Sequence, residues 1–284
     1  MHEMHEMNAT TRREPVLGRR ELLRIGAVGA LGALGAAGTA GLVGLSSLER
    51  AVGECVTSAA QTEGPYWVDE RLLRSDVRAD PSTGAVQVGM PLRLTISVAE
   101  LQGGVCSPVE GGYVDIWHCS ATGAYSDVSA GAGNPNTLGQ RWLRGYQVTD
   151  AHGSARFLTV YPGWYQGRTV HIHFRVRKFS GATVTFNFVS QLYFEDAISN
   201  AIYASTAPYS SRTNRNPASN AQDNIYRPSL LLRMSRNRDH VVASFQAVIN
   251  AEVGVADHRT TPTDEDSLEH LWDFGGGSPR LTIA

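Results

Sequence analysis

Apolar and polar side chains alternate along several short stretches of this chain. In Leu92-Arg93-Leu94-Thr95-Ile96-Ser97-Val98 every second residue falls on an apolar face, as a half-buried strand requires. Gly111-Gly112 opens a second candidate, Tyr113-Val114-Asp115-Ile116-Trp117-His118-Cys119. Arg144 to Thr149, Ala155 to Val160, Val170 to Val176 and Phe188 to Phe194 follow, with Gly, Pro, Asn or Asp between most of them. Leu230 to Leu232 and then Val241 to Val248 close the series. Short strands at this spacing predict an all-β fold, an antiparallel β-sandwich core with long loops. Gly131 to Gly139 reads as a loop rich in Gly and Asn. Ser205 to Asn224 is long and polar with two prolines, and reads as a surface excursion whose Arg212 and Arg215 are solvated.

Residues 1–50 have a different pattern. Gly18-Arg19-Arg20-Glu21-Leu22-Leu23-Arg24 carries twin arginines, and an uncharged Ala/Gly/Leu/Val stretch runs from Ile25 to Leu45. That stretch is long enough for a membrane span. Its many small residues and the arginines before it favour a twin-arginine export signal over an uncleaved anchor. The expected organisation is an export segment over 1–50, one β-sandwich domain over 51–255 and a polar tail over 256–284. The expected location is extracellular or in the cell envelope, with membrane contact only during export.

Composition narrows the class further. Of 284 residues, 42% are apolar and 18% charged, which excludes a mainly disordered chain. A formal net charge of -2 argues against a general nucleic-acid binder. Three cysteines are too few for a disulfide scaffold. In an oxidising compartment they permit one disulfide and leave one thiol. If Cys106 and Cys119 sit at opposite ends of one strand, they are roughly 40 Å apart and cannot pair. Cys55 is then the partner of one of them, with either choice open.

The sharpest chemical feature is His171-Ile172-His173. Residues i and i+2 of a strand share a face, so two imidazoles converge while Ile172 turns toward the core. Alone, this pair is as often two polar residues on one face. A cupin would add a carboxylate nearby, but Phe174-Arg175-Val176-Arg177-Lys178 follows instead. A zinc hydrolase site would add a third histidine or a carboxylate.

The flanks add Gln61-Thr62-Glu63-Gly64-Pro65-Tyr66-Trp67, Asp115 through Ser126, Tyr161-Pro162-Gly163-Trp164-Tyr165-Gln166-Gly167-Arg168 and Gln191-Leu192-Tyr193-Phe194. This set, in this order, resembles the intradiol ring-cleavage dioxygenases, the non-haem iron family that includes protocatechuate 3,4-dioxygenase and catechol 1,2-dioxygenase. The resemblance runs from about Cys55 to Val248. It implies Fe(III) held by Tyr125, Tyr165, His171 and His173, with Tyr165 as the tyrosine that leaves when substrate arrives. It implies that Arg168 and Gln191 act beside the bound substrate and that Gly64, Pro65 and Tyr66 line its pocket. The implied reaction cleaves a catechol-type ring between its two hydroxylated carbons with O2, giving cis,cis-muconate-type products. The stretch from His173 to Gln191 is a few residues longer than in the family. The chain lacks the long helical segment of the dimeric catechol 1,2-dioxygenases, so their dimer is not carried over and the oligomeric state stays open. For a substrate carboxylate, Arg144, Arg175 and Arg227 are the candidate cations. Two other readings compete: a metallohydrolase using only His171 and His173, and a non-catalytic carbohydrate- or aromatic-binding module with Trp67, Trp142 and Trp272 exposed.

Overall fold

The computed structural model describes residues 55–131, 133–213 and 217–250. The chain divides into units 1–51 and 52–284. The export segment, the polar tail, Arg215 and Trp272 lie outside the described residues.

Nine strands and one helix make up the described part. They are β1 (Pro91–Gln102), β2 (Val105–Pro108), β3 (Tyr113–Trp117), β4 (Arg144–Val148), β5 (Ser154–Val160), β6 (His171–Ser180), β7 (Thr183–Tyr193), α1 (Asp196–Ser205), β8 (Arg233–Arg236) and β9 (Val241–Asn250). One sheet runs β2-β1-β9-β8, with β5 sharing an edge of β1; the other runs β4-β3-β6-β7. Leu92, Leu94, Ile96 and Val98 of β1 and Val241, Ala243, Phe245, Ala247 and Ile249 of β9 form one core with Ile172, Phe174 and Val176 of β6. Each Val, Leu, Ile or Phe among them contributes about 1.5–3 kcal/mol by leaving water. The alternation read from the sequence therefore marks the inner face of a β-sandwich. One pairing departs from the antiparallel rule: β1 and β9 run parallel, from Leu92 beside Val241 to Leu101 beside Asn250. The strand expected at Leu230 to Leu232 falls later, at β8, because Pro228–Leu230 forms a single 3-10 turn.

Cys55 is bonded to Cys106, their Cα atoms 5.8 Å apart. Closing a separation of 51 residues constrains the unfolded chain by about 4 kcal/mol on the loop-entropy relation. Cys106 lies on β2 and Cys119 follows β3, so the two do not share one strand. Cys119 is the buried free thiol, its pKa pushed up to about 12 by burial. Among the described residues, no helix is long and apolar enough to cross a membrane.

The outer face of the β4-β3-β6-β7 sheet positions the site. Because Ile172 and Phe174 face inward, His171, His173, Arg175 and Arg177 face out. Strand register sets Gln191, His173, Trp117 and Arg144 side by side in one row across the four strands. The segment before β1 covers this face. Arg177, 8% exposed, forks onto Asp115 at 2.8 and 3.0 Å and reaches Asp69 at 3.0 Å. Burial, opposed by Arg177, raises Asp115 to about 6. Arg175 pairs with Glu63 and lies 4.0 Å over the Trp67 ring.

Candidate metal centre

Four side chains from three segments converge above the sheet. His171 and His173 bring their Nε2 atoms within 3.2 Å, and the Tyr165 hydroxyl lies 3.0 Å from His171 Nε2. The Tyr125 ring lies 5.8 Å from that of Tyr165 and 6.2 Å from that of His173, centroid to centroid. All four predicted ligands are thus in one cluster. The other predicted residues surround it. Tyr66 stacks on Tyr125 at 4.4 Å and meets Tyr165 edge-on at 6.4 Å. Gly64 has φ +73, and a Cβ there would stand 3.1 Å from His173 Cε1, so the chain passes directly against the imidazole. Pro65 between them is exposed.

Each segment is held by its own bonds. Tyr125 lies in the loop after β3: its N–H donates to Asn134 Oδ1 at 2.6 Å, and its carbonyl accepts from Thr137 Oγ1 at 2.7 Å. Those partners come from the stretch read as a Gly- and Asn-rich loop, yet both are buried. Ser126 accepts from Arg144 Nε and Nη2 at 2.6–3.2 Å. Gly123 has φ +89, and a Cβ there would lie 2.3 Å from the Trp164 carbonyl. The absent side chain lets the Tyr125 and Tyr165 loops touch.

The loop carrying Tyr165 and Arg168 is braced by residues 196–223. Tyr203 of α1 donates to the Pro162 carbonyl at 2.8 Å. Tyr209, fully buried, donates to the Tyr161 carbonyl at 2.5 Å. Arg212 lies 3.7 Å over the Trp164 ring. Asp223 Oδ2 accepts from Arg168 Nε at 2.8 Å and from the Thr169 N–H at 3.0 Å. Much of the described part of the expected excursion is at the surface, but Tyr209 and Asp223 are buried and brace the loop, and Arg212 packs on an indole instead of being solvated. Tyr209, Asp223 and Arg212 looked like surface because they bind Tyr161, Arg168 and Ala121, 48, 55 and 91 positions away in sequence.

Gln191 sits opposite His173 on β7 and is fully buried. The extra residues between the two are taken up by the β6–β7 hairpin, where the register shifts at Lys178/Phe179. Its Oε1 accepts from Arg168 Nη2 at 2.6 Å and from the Tyr193 hydroxyl at 3.2 Å. Its Nε2 donates to the Thr62 carbonyl at 3.0 Å. Gln191 is thus tied to Arg168 and to the N-terminal segment.

The donor chemistry suits a highly charged metal ion. His171 Nδ1 lies 2.7 Å from the Thr169 carbonyl, to which a neutral imidazole donates there, leaving Nε2 with its lone pair free to ligate. Burial, then the Arg168 charge, pushes His171 down to about 3. Burial, then His171, holds His173 well below its ordinary value. Both imidazoles are therefore neutral. The Tyr125 hydroxyl is buried without a hydrogen-bond partner, as is His173 Nδ1. Burial raises both phenols, Tyr125 well above its ordinary value, so a cation is needed to hold either as phenolate. Donor atoms 3.0 and 3.2 Å apart are near enough to share one ion. Among the described residues, no group of three His, Cys, Asp or Glu could hold a metal, so a site here depends on tyrosine.

The three arginines considered for a substrate carboxylate separate. Arg144 is buried on Ser126, Arg175 lies between Glu63 and Trp67, and Arg227 is exposed and donates to the Tyr226 carbonyl at 2.8 Å. Trp142 is buried and Trp67 half-buried, so neither is the exposed platform that a carbohydrate-binding module would need.

Comparison with known proteins agrees with this arrangement. The dioxygenase family model matches residues 62–221. Chlorocatechol 1,2-dioxygenase of Rhodococcus opacus is 28% identical over 168 residues, 52% of this chain and 60% of that protein. The protocatechuate 3,4-dioxygenase beta chain of Burkholderia cepacia is 34% identical over 127 residues, 40% of this chain and 51% of that one. The chain thus aligns with about half to three-fifths of these relatives' length. The solved intradiol ring-cleavage dioxygenase from Tetranychus urticae superposes with a TM-score of 0.59 at 25% identity, over 71% of this chain and 98% of that one. With more than half of its residues inside the family model and this sandwich around the Tyr–His cluster, the chain belongs to the intradiol ring-cleavage dioxygenase family.

Proposed function

We propose that this chain is a non-haem Fe(III) dioxygenase that cleaves catechol-type aromatics between the two hydroxylated carbons, with O2 as co-substrate and cis,cis-muconate-type products. The observation that carries the proposal is the convergence of the buried Tyr125 phenol, the half-buried Tyr165 phenol and two neutral imidazoles, the Tyr125 oxygen lacking a hydrogen-bond partner. Tyr125, Tyr165, His171 and His173 would hold the iron. Ferric iron held there would supply a Lewis acid that makes the catechol hydroxyls more acidic and draws electron density from the ring.

The protein's own part follows from the geometry. Tyr165, as phenolate, would take up one catechol proton at its phenolic oxygen. Tyr66, stacked on Tyr125, walls the site with an aromatic face and helps exclude water. Arg168 presents its guanidinium toward negative charge developing on the substrate oxygens. Asp223 and Gln191 fix that guanidinium at 2.8 and 2.6 Å. Gln191 then acts by holding Arg168, since its carbonyl already accepts two hydrogen bonds.

Asp223→Ala is expected to lower kcat/KM by about 10²-fold, the scale of a misplaced catalytic group, with iron content unchanged. Asp223→Asn, whose amide oxygen still accepts, recovers part of the loss. Steady-state kinetics beside iron analysis checks this, and wild-type kinetics in Asp223→Ala would mean that Gln191 alone orients Arg168.

The twin-arginine segment is proposed to direct export. The Cys55–Cys106 bond supports this, because such bonds persist in oxidising compartments.

A further inference from the structure

Apart from the Tyr–His cluster, three buried polar atoms without partners belong to residues that line one cavity. Trp67, Val68, Glu70, Leu72, Trp117 and Arg144 contribute to its wall, and the free volume at its centre is about 10 Å3. That is about the space one water molecule needs. Trp117 is 1% exposed and Arg144 2%. The Trp117 Nε1, the Arg144 Nη1 and the Glu70 Oε1 each lack a hydrogen-bond partner. Buried polar atoms are rarely left in that state, because each forfeits its hydration.

The three atoms select their occupant. The indole and guanidinium nitrogens can only donate. Burial, then a hydrogen bond with Asp127, raises Glu70 to about 7, and with that proton held between the two carboxyl groups Glu70 Oε1 still accepts. An anion would be set against Glu70, a cation against Arg144, and an apolar group would satisfy none of the three. We propose that the cavity is a binding site for one water molecule, which accepts from Trp117 Nε1–H and Arg144 Nη1–H and donates to Glu70 Oε1.

The site has a consequence for the neighbouring cluster, and this part rests on the ferric reading. Trp117 pairs with His173 across β3 and β6, the rings 4.9 Å apart and 10° from parallel. Arg144 faces Trp117 on β4, and its other nitrogens hold Ser126, the chain neighbour of Tyr125. The water therefore ties Glu70, in the segment covering the sheet, to the groups behind two of the four iron ligands. Glu70 is a positioning residue for them.

High-resolution crystal structures of the metal-free and iron-loaded protein test the site. The expected result in both is one water peak within about 2.7–3.2 Å of all three atoms, absent in Glu70→Leu, which keeps a side chain of similar size and removes the acceptor. An empty cavity, Glu70 turned onto Arg144, or a peak too heavy for water would overturn the proposal. Glu70→Leu is expected to release iron to a chelator about tenfold faster, the lower end of what outer partners of metal ligands contribute. Glu70→Gln, with an oxygen that still accepts, should match wild type. Equal release from all three proteins would overturn the positioning role. A wild type that holds no iron would count against the ferric reading instead, and the density would still decide the water site.

Discussion

His173→Ala is expected to be isolated folded, nearly free of iron and without measurable ring cleavage. His173 lies at the centre of the cluster, 3.2 Å from His171 Nε2, stacked on Trp117 and opposite Gln191. Outer partners that only orient metal ligands contribute about 10–100-fold to metal affinity, so deleting a ligand should exceed that range. The side chain faces away from the core containing Ile172 and Phe174, so the sandwich should survive. Iron content, far-UV circular dichroism and the thermal midpoint together check this. A folded variant with full iron and activity would remove His173 from the ligand set.

Tyr165→Phe is the second large effect. It deletes one oxygen and leaves the ring that meets Tyr125, His171 and Tyr66 edge-on. Three ligands remain, so iron should be retained more weakly. Turnover should fall by about 10²–10⁴-fold, the range of a lost general base, and the visible absorption should weaken. A hydrolase using His171 and His173 alone would be nearly indifferent to this change. Measuring iron retention and turnover on the same preparation separates the two accounts.

Much of the site was legible because its chemistry is local. The i, i+2 histidines share a face in any strand, and the segments carrying Tyr125, Tyr165 and Arg168 have distinctive residues at short spacing. The strands were legible for the same reason, since alternation over seven residues at Leu92–Val98 needs no tertiary knowledge. Asp223, Asn134 and Thr137 were not legible. Each is a polar residue in a polar stretch whose partner near the site lies 9 to 55 positions away. The helix α1 was missed because it is only ten residues long, has no side-chain N-cap and has only Ile198, Ile202 and Tyr203 as large apolar positions. The parallel pairing of β1 with β9 joins strands more than 100 residues apart and leaves no local trace. Gln191 was legible by motif, but its tie to Arg168 follows only from the β6–β7 register.

The proposed site stands on tyrosines and histidines together holding ferric iron for a catechol. The most direct test is the visible spectrum of the iron-loaded mature protein, taken first alone and then with catechol under nitrogen. The account predicts a red protein, from tyrosinate-to-iron charge transfer, whose band moves to longer wavelength when catechol binds. A protein that binds iron tightly but stays colourless, with no change on adding catechol, would contradict it.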